Sequence, residues 1–238
     1  MIGLGTIINT AAIIIAGLVG SLFGKRMTER FQEILTKASG LCVIFLGIAG
    51  ALEKMFIIED GKLSSGGTLM MIASLAIGSL IGELINIERH LNRFGEWLKQ
   101  KTGNSKDKVF VDAFVTASLT VCIGAMAIVG SIQDGILGDY STLLMKAILD
   151  FVIICVMTAS MGKGCAFSAI PVAVFQGSMT LLARVIEPIM TEKVLNNLSL
   201  VGSMLIFCVG VNLIWEKKFK VGNMLPALIV AVVWSLFF

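Results

Sequence analysis

Residues 145–187 read MKAILDFVIICVMTASMGKGCAFSAIPVAVFQGSMTLLARVIE. Two apolar runs flank the short turn MGKG, and each reads as a helix. Roughly 20 helical residues cover the ~30 Å of hydrocarbon in a bilayer, so this stretch predicts a transmembrane hairpin. Asp150 stands inside the first helix, with Cys155 and Thr158 one and two turns further on, and Gln176 stands near the middle of the second. Polar groups at that depth are costly and normally face protein or water. They are the first places to look for function.

The rest of the chain has the same character. Of 238 residues, 56% are hydrophobic and only 15% are charged, and the mean hydropathy is +0.92. A soluble domain is excluded by these values. A membrane β-barrel would show alternating segments of about 10 residues, and none is present. The 25 glycines fit close helix packing in lipid. The expected fold is all-α: a polytopic transmembrane bundle of about eight helices in one integral membrane domain, 1–238. The helices fall near 2–23, 39–56, 68–87, 109–132, 141–160, 166–186, 194–215 and 224–237.

The connections are legible by composition. Residues 57–67 are acidic and then Gly/Ser-rich, which predicts a loop, as does QDGILGDY at 133–140. The basic stretch 88–108 holds Leu91, Phe94, Trp97 and Leu98 at helical spacing, with Arg89, Arg93, Lys99 and Lys101 free to stay wet. That predicts a short interfacial helix in a cytoplasmic loop. His90, in the same stretch, is expected at the surface. Asp112 opens the fourth helix, where a carboxylate suits the helix dipole. Pro171 falls early in the sixth helix and can kink it. Pro226 opens the last helix, with Asn223 as its expected cap.

Charge distribution predicts the topology. With eight spans, 14 of the 19 Lys and Arg fall on one side and five on the other. Basic short loops stay cytoplasmic, so both termini are expected outside. Lys146 fits the pattern least and is expected to snorkel outward. No Lys or Arg precedes Lys25, so no cleavable signal peptide is expected. Cys42, Cys122, Cys155, Cys165 and Cys208 match no zinc or redox spacing and read as packing residues.

Internal repeats are visible. At a shift of 62, the run from Gly5 lies over the run from Gly67, pairing Thr6 with Thr68 and Gly20 with Gly82. At a shift of 80, Cys42, Ile48 and Gly50 meet Cys122, Ile128 and Gly130. A fainter match at 160 relates the sixth and seventh segments to the first two. By parity, segments three to five and six to eight form two three-helix units of opposite orientation. Inverted repeats of this kind are common in secondary transporters.

The candidate substrate- or ion-binding residues are Asp150, Gln176, Asn9 and Asn212. A buried carboxylate must pair, bind a cation or take a proton. Lys146, one turn back on the same face, is its obvious structural partner. Gln176 can donate and accept, and Asn9 and Asn212 can serve as ligands or as interhelical hydrogen bonds. Secondary candidates are Thr158, Ser160, Lys163 and Ser168 around the MGKG turn, whose amides and lysine suit an anion. GKGCAF is not a P-loop, and no HExxH, triad or CxxC spacing occurs. No enzyme activity, cofactor, metal or nucleic-acid partner is therefore expected.

Three stretches carry a family resemblance: GTIINTAAIIIAGLVGSLFG at 5–24, FQGSMTL at 175–181 and GVNLIWEKKFKVGNMLPAL at 210–228. Through them the chain resembles the bacterial YdfK/YqgA-like inner-membrane family, a domain of unknown function. The resemblance covers essentially the whole chain. It implies a multi-pass protein of the cytoplasmic membrane and supplies no catalytic residues. The functional expectation is a secondary transporter or permease for a small solute, coupled to a proton or Na⁺ through Asp150. The alternative is a channel-like homo-oligomer or a non-transporting structural or assembly protein. The expected partners are the lipid bilayer and a small solute or ion.

Overall fold

A computed structural model describes residues 2–59, 62–215 and 218–237. Among these the chain is helical apart from one β-hairpin. Helix α1 spans Leu4–Gly24 and α2 spans Glu29–Met55. The hairpin pairs β1 (Phe56–Glu59) with β2 (Lys62–Ser65) in antiparallel register, Phe56 opposite Ser65. The stretch expected as a loop is thus ordered backbone, with Asp60 and Gly61 outside the described residues. Helix α3 (Thr68–Ile85) follows, then α4 (Ile87–Lys101), α5 (Phe110–Cys122), α6 (Ala125–Leu137) and α7 (Ser141–Met161). After α7 come a 3₁₀ segment Lys163–Ser168, α8 (Ala169–Leu181) and the one-turn α9 (Ala183–Ile186). The chain ends with α10 (Glu192–Trp215), the one-turn α11 (Val221–Met224) and α12 (Pro226–Phe237). Lys217, counted with the basic side above, also lies outside the described residues.

Six helical segments are long and apolar enough to cross a membrane: α1, α2, α3, α7, the run Lys163–Leu181, and α10. The α5–α6 pair makes a seventh if the two are one span. The protein is a multi-pass all-α bundle. Leu22, Leu84 and Leu181 are 66%, 88% and 85% exposed, as lipid-facing side chains should be.

The fourth segment departs from expectation. In place of one helix over 109–132, α5 and α6 meet at a 62° bend. Gly124 at the bend has φ +152°, a conformation open to glycine. Helix α6 also runs on through residues expected to form a loop, so Asp134 is helical and fully buried.

The chain divides into two compact units that interleave along the sequence. The first comprises Met1–Ser39, Arg89–Cys122 and Met126–Glu187; the second comprises Gly40–Glu88, Ile123–Ala125 and Pro188–Phe238.

In the first unit, glycines set the helix directions. Gly5 lies against Leu143, Gly20 against the Cys155 carbonyl and Gly24 against Ala159, so α1 and α7 run parallel in close contact. Gly17 lies against Ala166, while Thr6 meets Thr180, so α8 runs antiparallel to α1. The predicted interfacial helix exists as α4, but it is docked on protein. Leu98 is 4% exposed and clusters with Phe110, Val111 and Phe114, and Phe94 tilts against Phe114 at 5.8 Å. Trp97 stays half exposed, and His90 is exposed.

In the second unit, Gly78 and Gly82 receive Ala227 and Asn223, which makes α3 antiparallel to α12. Gly40 and Gly47 lie against Gly210 and Phe207, which makes α10 antiparallel to the second half of α2. Its core holds Ala51, Met70, Leu200, Val201, Ala227 and Ala231. Each of these relative directions agrees with the alternation that the charge pattern requires. All five cysteines are free thiols.

Candidate functional site

Three of the four primary candidates meet in the first unit. Close packing of α1 on α7 brings the Asn9 amide nitrogen to 3.0 Å from Asp150 Oδ2, and the same nitrogen lies 3.3 Å from Gln176 Oε1 on α8. Lys146 Nζ donates to Asp150 Oδ2 at 2.6 Å. All four side chains are at least nine-tenths buried. Lys146 therefore does not snorkel outward: the carboxylate one turn on holds its ammonium inside the protein.

The carboxylate also fixes the orientation of the amides. An ionised Asp150 accepts only, so Asn9 must turn its NH₂ toward it. That NH₂ also reaches Gln176, which must then present its oxygen. The chain of donors runs from Lys146 to Asp150 and from Asn9 to both Asp150 and Gln176. It leaves Asn9 Oδ1 and Gln176 Nε2 buried without partners among the described residues. Unpaired buried polar atoms are rare enough to need an explanation.

The break between α5 and α6 completes the centre. Ending α5 at Cys122 leaves its last carbonyls without intrahelical donors. Lys146 Nζ donates to one of them, Val121 O, at 2.8 Å. The ammonium thus lies between a carboxylate and the negative end of a helix, both of which favour a cation.

Near the opposite ends of these helices lies a residue that sequence reasoning missed. Asp134 Oδ1 and Oδ2 accept from the Gly3 and Gly5 amides at 3.2 and 2.9 Å, holding the first turn of α1. Its burial depends on α6 continuing where composition indicated a loop. The signal available was the helical spacing of Ile128, Ser131 and Gly135, which face the same interior.

The secondary candidates lie toward the other end of α7. A cleft of about 950 Å³ opens there, lined in part by Thr158, Ser160, Gly162 and Lys163. Neither Asp150 nor Gln176 lines it. Ser160 is engaged with the Met157 carbonyl at 3.2 Å. Thr158 and Ser168 are buried, and their hydroxyls have no partner among the described residues. The MGKG turn is built on Gly162, at φ +100°, leading into the 3₁₀ segment. Pro171 stands just beyond it, in the first turn of α8.

Asn212 stands apart from this centre, in the second unit. Its side chain donates to the Phe219 carbonyl at 2.7 Å and accepts from the Phe219 amide at 2.9 Å, so it shapes the turn after α10. Asn223 does not cap α12. Its Oδ1 accepts from the Glu88 amide at 2.7 Å, capping α4, and its Nδ2 donates to Glu83 at 2.6 Å. Lys220 Nζ reaches the same Glu83 carboxylate at 2.6 Å. That hydrogen bond and the negative charge raise the Lys220 ammonium above its usual value. The polar residues in and around the closing motif VGNMLPAL therefore act as a clasp on the α3–α4 corner. Among the described residues, no group of three or more His, Cys, Asp or Glu is placed to hold a metal ion.

Residues 4–236 match the family model described as "Protein of unknown function (DUF554)". The "Uncharacterized membrane protein YdfK" of Bacillus subtilis (strain 168) is 34% identical over 226 residues, covering 95% of this chain and 93% of the relative. The "Uncharacterized protein YqgA" of Escherichia coli (strain K12) is 28% identical over 233 residues, covering 96% and 94%. No solved structure matches. The matches cover nearly all of each chain, and the chain belongs to this YdfK/YqgA-like family of multi-pass bacterial inner-membrane proteins.

Proposed function

We propose that the protein is a secondary transporter for a small solute, coupled to a proton or Na⁺ at Asp150. The observation that carries this reading is the buried Lys146 ammonium, held between Asp150 and the Val121 carbonyl at a broken helix. Half-helix ends and free carbonyls beside a carboxylate form the kind of donor set that binds coupling ions in transporters. Here the lysine occupies it. A proton or Na⁺ arriving at Asp150 competes with Lys146 and frees it.

The amide pair gives that exchange a second consequence. A protonated Asp150 becomes a donor, and Asn9 Oδ1 is the open acceptor beside it. Turning the Asn9 amide then withdraws the NH₂ from Gln176. Ion state is thus communicated from α7 to α8 through α1. The hairpin repeat at a shift of 62 is supported by Gly20 and Gly82, which match in that alignment and both admit another segment's carbonyl oxygen; the inverted pair rests on parity and the fainter match at 160.

The burial of the pair also favours a second reading, in which Lys146 and Asp150 only pin the broken helix. Electrical recording on proteoliposomes separates the two. With a panel of small solutes and imposed H⁺ or Na⁺ gradients, wild type is expected to give solute-dependent charge movement that Asp150→Asn abolishes. Equal currents from both, with both folded, overturn the coupling role and leave the structural one.

A further inference from the structure

We propose that the cleft at the end of α7 binds a phosphate-bearing anion. Lys25, Lys106 and Lys163 all line the cleft, and no salt bridge or side-chain hydrogen bond engages them among the described residues. Two carboxylates share it, but both are engaged. Asp107 accepts from the Val109 amide at 3.1 Å, and Asp112 also has a partner within the protein. Three lysines against two carboxylates leave the cleft with a formal net charge of about +1.

An independent observation points the same way. Thr158 lines the cleft, is 1% exposed and has a buried hydroxyl with no partner among the described residues. A buried hydroxyl without a partner is costly, and an anionic oxygen would satisfy it. A phosphate group carries about −1.5 to −2 charges at neutral pH and three acceptor oxygens, which suits a cleft lined by three lysines and a hydroxyl-bearing side chain. The volume of about 950 Å³ exceeds what phosphate alone fills and lies within the range of small-molecule sites, about 300–1,000 Å³. The cleft therefore has room for more than a phosphate alone, as in a soluble phosphorylated compound or an anionic phospholipid headgroup. The inference does not depend on the role of Asp150.

The test has two arms on full-length protein. In detergent, inorganic phosphate is titrated against chloride at constant ionic strength, read by thermal shift and ³¹P line broadening. In nanodiscs, phosphatidylglycerol is compared with phosphatidylcholine by thermal shift. Lys163→Gln and Thr158→Val are examined alongside wild type, the first a surface change and the second close to isosteric. A saturable phosphate effect weakened about tenfold in Lys163→Gln, the scale of one charge-assisted hydrogen bond, supports a soluble ligand. A phosphatidylglycerol effect lost in the variants supports the headgroup. No saturable effect in either arm, or effects equal in wild type and both variants, overturns the proposal.

Discussion

Lys146 and Asp150 are tied to each other by the low dielectric around them. Removing one leaves the other as an isolated buried charge, which typically costs about 3–5 kcal/mol, whereas replacing both by apolar residues of similar size is often neutral or stabilising. Lys146→Met is therefore expected to melt well below wild type in detergent. Lys146→Met/Asp150→Leu is expected to recover most or all of the loss. A single variant as stable as wild type would show that the pair is not buried as described. Asp150, Asn9 and Gln176 were legible in the sequence because a polar side chain inside an apolar run is conspicuous. The partnership of Lys146 followed from spacing, but not its direction: a lysine one turn from a carboxylate and near a helix start can turn to either. Asp134 was not legible, because Asp-Gly followed by Leu-Gly-Asp reads as a turn until tertiary packing extends the helix. Asn212 looked like the other buried amides, yet its partner is the backbone of the next turn.

At the scale of elements, glycine decides which helices touch. A Cβ at Gly82 would collide with the Asn223 carbonyl, and one at Gly20 with the Cys155 carbonyl, both backbone atoms that cannot step aside. Gly177, inside α8, has nothing within 4 Å of a Cβ position. Alanine at 20 or 82 is thus expected to lower yield and thermal stability in fluorescence-detected size-exclusion profiles. Alanine at 177 is expected to be tolerated, or to stabilise by about 0.5–1 kcal/mol through helix propensity alone. Equal behaviour of all three would remove close packing as the reason for these glycines. Six of the eight expected spans were legible from hydropathy and length; the α5–α6 pair is a seventh if the two are one span, and α12 is shorter than a full span. The α5–α6 break was not legible, since one glycine in an apolar helix costs only about 1 kcal/mol and commonly leaves it intact. The docking of α4 was half legible: spacing gave its apolar face, but a lipid surface and the aromatic cluster at the start of α5 attract such a face equally well.

For the whole chain, orientation comes from two independent sources. Packing within each unit fixes relative directions: α1 parallel to α7 and antiparallel to α8, α3 antiparallel to α12. Charge then assigns the ends, because loops rich in Lys and Arg stay cytoplasmic. The loop after α4 and the turn before α11 belong to the basic side, and the hairpin and the α6–α7 turn to the other. Ser105 and Lys218 are exposed at the first two positions, Ser65 and Asp139 at the others. Placed singly as cysteines in a chain with the five native thiols replaced, positions 65 and 139 are expected to react with an impermeant maleimide on intact spheroplasts. Positions 105 and 218 are expected to react only after lysis. The complete reverse would keep the alternation and invert the protein, moving the anion cleft to the outer face, where cytoplasmic phosphate compounds could not reach it. Accessibility that broke the pairing, with 105 and 218 on opposite sides, would contradict the span count itself.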